Sequence, residues 1–458
     1  MNGLPDLIQA LGTQNNIISF DPRGVNNSGP DLSCFPGKDN TALLYPQDYG
    51  MPVDINSTRS LAETWARADA FGQWCSKVHG DSNSTSQAKY ANTVATATDM
   101  LRYTEVLAAS KGETAKESKL LYYGVSYGTV LGSTFAALFP NRIERMILDG
   151  VVDVEDYYLG KWESNLPDTD AAISSFFKYC FEGGEEACGF WSKSPEAIET
   201  RFHAVLDNLR DNPIIVVGDV DFPVIVTYSH FQLLLANVPY APSALFPLLA
   251  STLTSLEQGN GALLASYLSL GQRVDECAID PLTAPVGDLE PRQFIACTDG
   301  NGRFNLSTFD SFVAHVDLLV DQSHYLGETW AAGTSVNCRS LNIRAPESQI
   351  FTGTPSADST SNPILFIGNT LDPVTPLRAA EKMSKLFGGA RLLTQNSVGH
   401  GFMSADSSCT MGYVQQYLKD ASLPDEGTVC ESEEVPFKNA SDRAEAKAAS
   451  ILKKRSHV

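Results

Sequence analysis

Apolar residues follow two rhythms along the chain. Short continuous runs, "NIISF" (16–20), "KLLYY" (119–123), "RMIL" (145–148), "PILFIG" (363–368) and "ARLLTQ" (390–395), recur near its two ends. Runs of this length next to Gly- or Pro-rich turns are the pattern of strands buried on both faces. Between them, residues 58–78, 93–112, 128–140, 375–389 and 409–420 carry apolar side chains at helical spacing. Gly112 and Pro140 supply stop signals. Strands alternating with helices predict an α/β fold with a doubly wound, mainly parallel sheet. From about 153 to 345 the rhythm becomes mostly helical, as in "DAAISSFFKYCFEG", "SPEAIETRFHAVLDNLRDN" and "STFDSFVAHVDLLVDQSHYL". We therefore expect a first part of an α/β core over 1–152, an inserted helical cap over 153–345 and a second part of the core over 346–430. Residues 431–458, acidic and then basic, read as a mobile tail or a frayed helix.

Composition narrows the function classes. With 458 residues, 43% of them apolar, the chain can bury a sizeable core and form more than one domain. A formal charge of -21 disfavours a nucleic-acid partner. No run approaches the roughly 18 apolar residues of a membrane span. The opening "MNGLPDLIQALGTQNN" has no basic segment followed by an apolar one, so it does not read as a signal peptide, and a chain starting there would be cytoplasmic. Nine cysteines, none in a C-x-x-C pair, point instead to disulfides. Proximity along the chain predicts Cys180–Cys188, Cys277–Cys297 and Cys409–Cys430, then Cys34–Cys75, with Cys338 left over. N-x-S/T sequons occur at Asn26, Asn56, Asn83, Asn305 and Asn439. Cysteines and sequons together suggest a glycoprotein of secretory, extracellular lineage.

The candidate chemistry begins at Gly124-Val125-Ser126-Tyr127-Gly128, a G-x-S-x-G between a strand run and a helical one. In that context it is a nucleophile elbow: a tight, strained turn presents the serine above the N-terminus of the next helix. A serine hydroxyl needs an imidazole to take its proton and a carboxylate to orient that imidazole. In this fold these follow in the order Ser, acid, His, each on a loop after a strand. His400, in "SVGHGF" after "RLLTQ", has that position and is flanked by glycines. His79, His203, His230, His315 and His324 precede the last strands, and His457 lies in the tail. Asp372, in "GNTLDPVTP" after "PILFIG", is the expected acid. Asp149, in "LDG" after the preceding strand, is its rival, and a turn aspartate bonding its own backbone is the plainer reading of Asp372.

With these residues the chain resembles the tripeptidyl aminopeptidase branch of the α/β-hydrolases, related to prolyl aminopeptidases. The similar text includes "ISFDPRGV", "NTVATATDMLRY", "YYGVSYGTVLGSTFAALFPNRIERMILDGVVD", "ACTDG", "ILFIGNTLDPVTP" and "GHG". The resemblance implies a helical cap over the site, hydrolysis of peptide or related acyl bonds, and neither metal nor cofactor. It places the triad on Ser126, Asp372 and His400, with the Tyr127 N–H as one oxyanion donor. Family members carry further strands and a glycine-rich oxyanion loop before the "DPRG" strand. The sequence as printed starts in what matches the helix after that loop, so the expectation is a sheet with one open edge and an unassigned second donor. Three functions compete: an exopeptidase releasing short peptides from free N-termini, an esterase or amidase acting on a small metabolite, and a catalytically weak binding protein.

Overall fold

A computed structural model describes residues 4–38, 41, 51–80, 85–218, 220–271, 289–304 and 306–438. Its centre is a five-stranded sheet, built from β1 (Leu120–Ser126), β2 (Ile143–Val151), β5 (Leu365–Leu371), β6 (Arg391–Val398) and β7 (Val429–Glu431) in that spatial order. Every neighbouring pair is parallel. A short antiparallel hairpin, β3 (Ile214–Val216) and β4 (Val224–Val226), stands apart from it.

The apolar runs form strands because both faces of the sheet are covered. Along β2, Met146 and Leu148 join one core cluster with Val130, Phe135 and Phe366, while Ile147 joins a second with Leu365, Leu393 and Tyr417. This is the two-residue alternation of a strand, with apolar residues on both sides. The helix Tyr127–Leu138 lies over the first cluster, and Ser408–Asp420 with Leu4–Leu11 over the second. Most helices between Val154 and Asn337 share a third core, centred on Phe176, Phe202, Phe231, Phe246 and Phe312.

Parallel register decides where chemistry can sit. Ser126 aligns with Val151, Asp149 with Ile367 and Leu371 with Val398. The C-terminal ends of β1, β2, β5 and β6 therefore lie at one edge, where open α/β sheets hold their ligands.

Several expectations are corrected. Residues 16–20 form no strand, and Ile18 and Phe20 are largely exposed. An apolar run becomes a strand only with a partner for its backbone, and β1 has a neighbour on one side only among the described residues. Leu121 and Val125 of β1 are also exposed. The hairpin β3–β4 interrupts the helical stretch; its outward Ile215 and Ile225 face each other across the ladder. The last segment is packed at its start, since Glu431 closes β7 and Phe437 is buried against Phe176. Residues 439–458 lie outside the described residues.

The disulfides are Cys34–Cys75, Cys180–Cys188, Cys409–Cys430 and Cys297–Cys338. The last replaces the expected Cys277–Cys297. The fold brings two distant segments together there, with Cα atoms 5.1 Å apart and a sequence separation of 41, which sequence proximity cannot reveal. Cys277 lies outside the described residues, as do Asn83, Asn305 and Asn439. Asn26 and Asn56 are exposed. These disulfides fit an oxidising, secretory lineage, and no described helix is long and apolar enough to cross a membrane.

Candidate active site

Ser126 occupies the junction of β1 and the helix Tyr127–Leu138 at φ 57°, ψ -123°. A side-chain-bearing residue at positive φ costs roughly 1–3 kcal/mol and persists where the surroundings over-determine it. Here Gly124 supplies one constraint: a Cβ on it would lie 2.5 Å from the Gly128 carbonyl oxygen. The Thr129 hydroxyl supplies another, donating to the Ser126 carbonyl at 2.6 Å while accepting from the Val152 N–H at 3.1 Å. The Ser126 side chain does not cap the helix. The first helical N–H groups, Tyr127's among them, have no intrahelical partner and point toward the turn.

Asp372 and His400 are brought into direct contact. The Asp372 oxygens lie 3.1 and 3.0 Å from His400 Nδ1. The carboxylate, fully buried, also accepts from the N–H groups of Val374, Thr375 and Gly401. Asp372 thus organises its own turn and orients the imidazole at once. Thr375 Oγ1 lies 3.0 Å from the same nitrogen. With the Nδ1 proton given to Asp372, Nε2 is left as an acceptor, and it is buried with no hydrogen-bond partner among the described residues. An unpaired buried nitrogen is costly in a structural histidine and required in a general base.

The link between the serine and the histidine is β2. Val151 pairs with Ser126, and the preceding Gly150 lies against the His400 ring. A Cβ at Gly150 would come within 3.1 Å of His400 Cε1, and its φ of 56° is one that side chains rarely adopt. Glycine here lets the imidazole close over the strand end carrying the serine; it followed the apolar run in "LDG", but its use depends on a neighbour 250 positions away.

Asp149 has a different task. Its carboxylate accepts the Phe402 N–H at 3.0 and 3.1 Å and the Tyr123 hydroxyl at 2.9 Å, so it braces the loop beyond His400. Burial pushes its pKa up to about 6, with the Tyr123 and Phe402 bonds acting the other way. For His400, burial lowers the pKa, but the charge of Asp372, the bond to it and the charge of Asp149 outweigh this, and the net shift is upward. Protonated imidazole cannot accept a serine proton. The acid limb of kcat/KM should therefore lie above the ordinary histidine value of about 6.5. Asp149→Asn, which removes one negative charge, should move that limb to lower pH; a pH–rate profile checks both.

Three residues of the helical region make contact here. The Tyr240 carbonyl accepts the His400 N–H at 3.0 Å and its ring packs edge-on against the imidazole, with centroids 5.1 Å apart. Asn165 and Thr169 donate to the carbonyls of Val374 and Pro373 in the Asp372 loop. The other histidines have separate surroundings: His79 bonds the Ser33 carbonyl, His230 caps a helix, His203 stacks on Tyr325, His315 faces Glu163 and His324 faces Asp170. His457 lies outside the described residues. Sequence reasoning missed Thr129, Tyr240 and Asn369; the last donates from β5 to the carbonyls of Gly399 and Gly401 around His400. Only tertiary contact reveals them.

The chain is similar to known hydrolases. The TAP-like protein family matches residues 323–430, the stretch holding Asp372 and His400. The serine protease Hip1 of Mycobacterium tuberculosis is 27% identical over 425 residues, spanning 91% of this chain and 74% of its own. The tripeptidyl aminopeptidase of Streptomyces coelicolor is 25% identical over 437 residues, 92% of this chain and 71% of its own. Carboxylesterase B of Mycobacterium tuberculosis is 23% identical over 292 residues, 64% of this chain and 53% of its own. A parallel sheet, a strained serine at a strand–helix junction and these similarities together make the chain a serine hydrolase of α/β-hydrolase fold, similar to the TAP-like proteins.

Proposed function

We propose that the protein is an exopeptidase that releases short peptides from free N-termini through an acyl-enzyme. The observation that carries this reading is the His400 imidazole, held by Asp372 through Nδ1 with Nε2 unpaired, at the sheet edge that bears Ser126. In the proposed reaction Ser126 Oγ attacks the scissile carbonyl as His400 Nε2 takes its proton. The Tyr127 N–H, at the positive end of its helix, donates to the oxyanion. His400 then protonates the leaving amine, and water, deprotonated by the same nitrogen, releases the acyl fragment. The substrate class is supported by two relatives of peptidase name that align along nine-tenths of the chain. The helical region, which touches the His400 and Asp372 loops through Tyr240, Asn165 and Thr169, is where substrate choice would be made. Secretion accords with the four disulfides.

The carboxylesterase similarity, over a shorter stretch, favours a second reading: the same triad acting on small esters. A panel of di-, tri- and tetrapeptide p-nitroanilides, each with free and acetylated N-terminus, beside p-nitrophenyl esters separates the two. An exopeptidase should prefer a free-amine peptide of one length by at least about tenfold in kcat/KM, or roughly 1.4 kcal/mol. Indifference to the N-terminus, with esters alone turned over, would favour the esterase.

A further inference from the structure

Asp299 takes no part in the Ser126–His400–Asp372 arrangement, yet its carboxylate is buried and fully engaged. It lies in the helix Leu289–Gly300 and is 5% exposed. It accepts the Thr93 N–H at 2.9 Å, the Thr93 hydroxyl at 2.5 Å and the Tyr157 hydroxyl at 2.8 Å. Thr93 Oγ1 in turn lies 2.8 Å from the Tyr127 hydroxyl. An ionised carboxylate only accepts, so the Thr93 proton goes to Asp299 and the Tyr127 proton goes to Thr93. The chain of donors thus runs in one direction, from Tyr127 through Thr93 to Asp299. The Tyr127 ring also rests on Tyr157, with centroids 6.1 Å apart. Both groups held by Asp299 therefore touch the residue that follows Ser126.

The anchor is itself fixed. Cys297, two residues before Asp299, is bonded to Cys338. Arg303 donates to the Asp299 and Tyr158 carbonyls. Burial pushes the carboxyl up to about 6, while the donors from Thr93 and Tyr157 and the Arg303 charge oppose that shift.

We propose that Asp299 is a positioning residue for the nucleophile elbow, holding the Tyr127 side chain, and with it the Tyr127 N–H, in the direction the oxyanion requires. This rests on the reading of Ser126 as nucleophile and of the Tyr127 N–H as oxyanion donor. A phenol tied down at its far end restrains rotation about the same Cα that carries the N–H. Such a restraint matters most when charge develops on the substrate oxygen, so its loss should appear in kcat rather than KM.

The test compares Asp299→Asn, Tyr127→Phe and the double variant on one substrate. Active sites are counted by fluorophosphonate labelling taken to completion, and thermal unfolding is followed in parallel. Each single change should lower kcat per labelled site by about 5- to 50-fold, with KM within about twofold. The double variant should be no slower than the slower single one, because both changes cut the same chain. Should Asp299→Asn fail to fold, Tyr127→Phe and Thr93→Val carry the test, and both must lower kcat at unchanged KM. A kcat per labelled site within twofold of the unaltered enzyme, whatever the melting temperature, would reduce Asp299 to a strut and overturn the proposal. So would losses that multiply in the double variant. Failure of the underlying reading looks different: the unaltered enzyme would then not be labelled at all.

Discussion

Ser126→Ala is expected to abolish turnover while leaving thermal unfolding nearly unchanged. The hydroxyl is partly exposed and does not cap its helix, so its loss removes little packing or hydrogen bonding from the fold. The backbone strain at φ 57° is borne equally by alanine. The loss in kcat should be on the order of 10⁴- to 10⁶-fold, the range found when a triad nucleophile is removed. Circular dichroism melting beside steady-state rates separates the two quantities. More than a few per cent residual activity in a properly folded variant would remove Ser126 from the mechanism.

The second large effect concerns the two aspartates. Asp372→Asn should lower kcat by about 10⁴-fold, because the amide can no longer stabilise the imidazolium or fix the Nδ1-protonated tautomer. Asp149→Asn should cost far less. Its carboxylate contacts the Phe402 N–H and the Tyr123 hydroxyl rather than the imidazole, so it acts by bracing the loop and by charge. Both variants should move the acid limb of kcat/KM to lower pH, since each removes negative charge that raises the His400 pKa. A larger loss from Asp149→Asn than from Asp372→Asn would reverse the assignment. Sequence order left Asp149 as a rival to Asp372, both following strands; in the structure it is Asp372 whose oxygens lie beside His400 Nδ1.

How much was legible in the sequence depended on whether the deciding contacts were local. "MIL" and "LFI" read as strands because residues alternating between two covered faces are all apolar. The elbow was legible because its glycines and serine are neighbours in the chain. Asp372 and His400 were legible because parallel strands of similar register deliver their following loops to one edge. "NIISF" misled for the complementary reason: apolar content measures a tendency to bury, but strand formation needs a hydrogen-bonding partner, and Ile18 and Phe20 stay exposed. The hairpin β3–β4 was hidden in a helical stretch because its three-residue strands are too short to show a period. Cys297–Cys338, Gly150 against His400 and Asp299 under Tyr127 join distant segments, and no local pattern carries them.

Ser126 is the residue expected to become acylated. Its most direct test is covalent: react the full-length protein with a fluorophosphonate, digest it, and locate the added mass by tandem mass spectrometry. We expect a single adduct on Ser126, formed with a pH dependence that follows deprotonation of His400 and reduced on the order of 10³-fold or more in rate in His400→Ala. An adduct on another serine, or no adduct in folded protein that still hydrolyses substrate, would contradict the account.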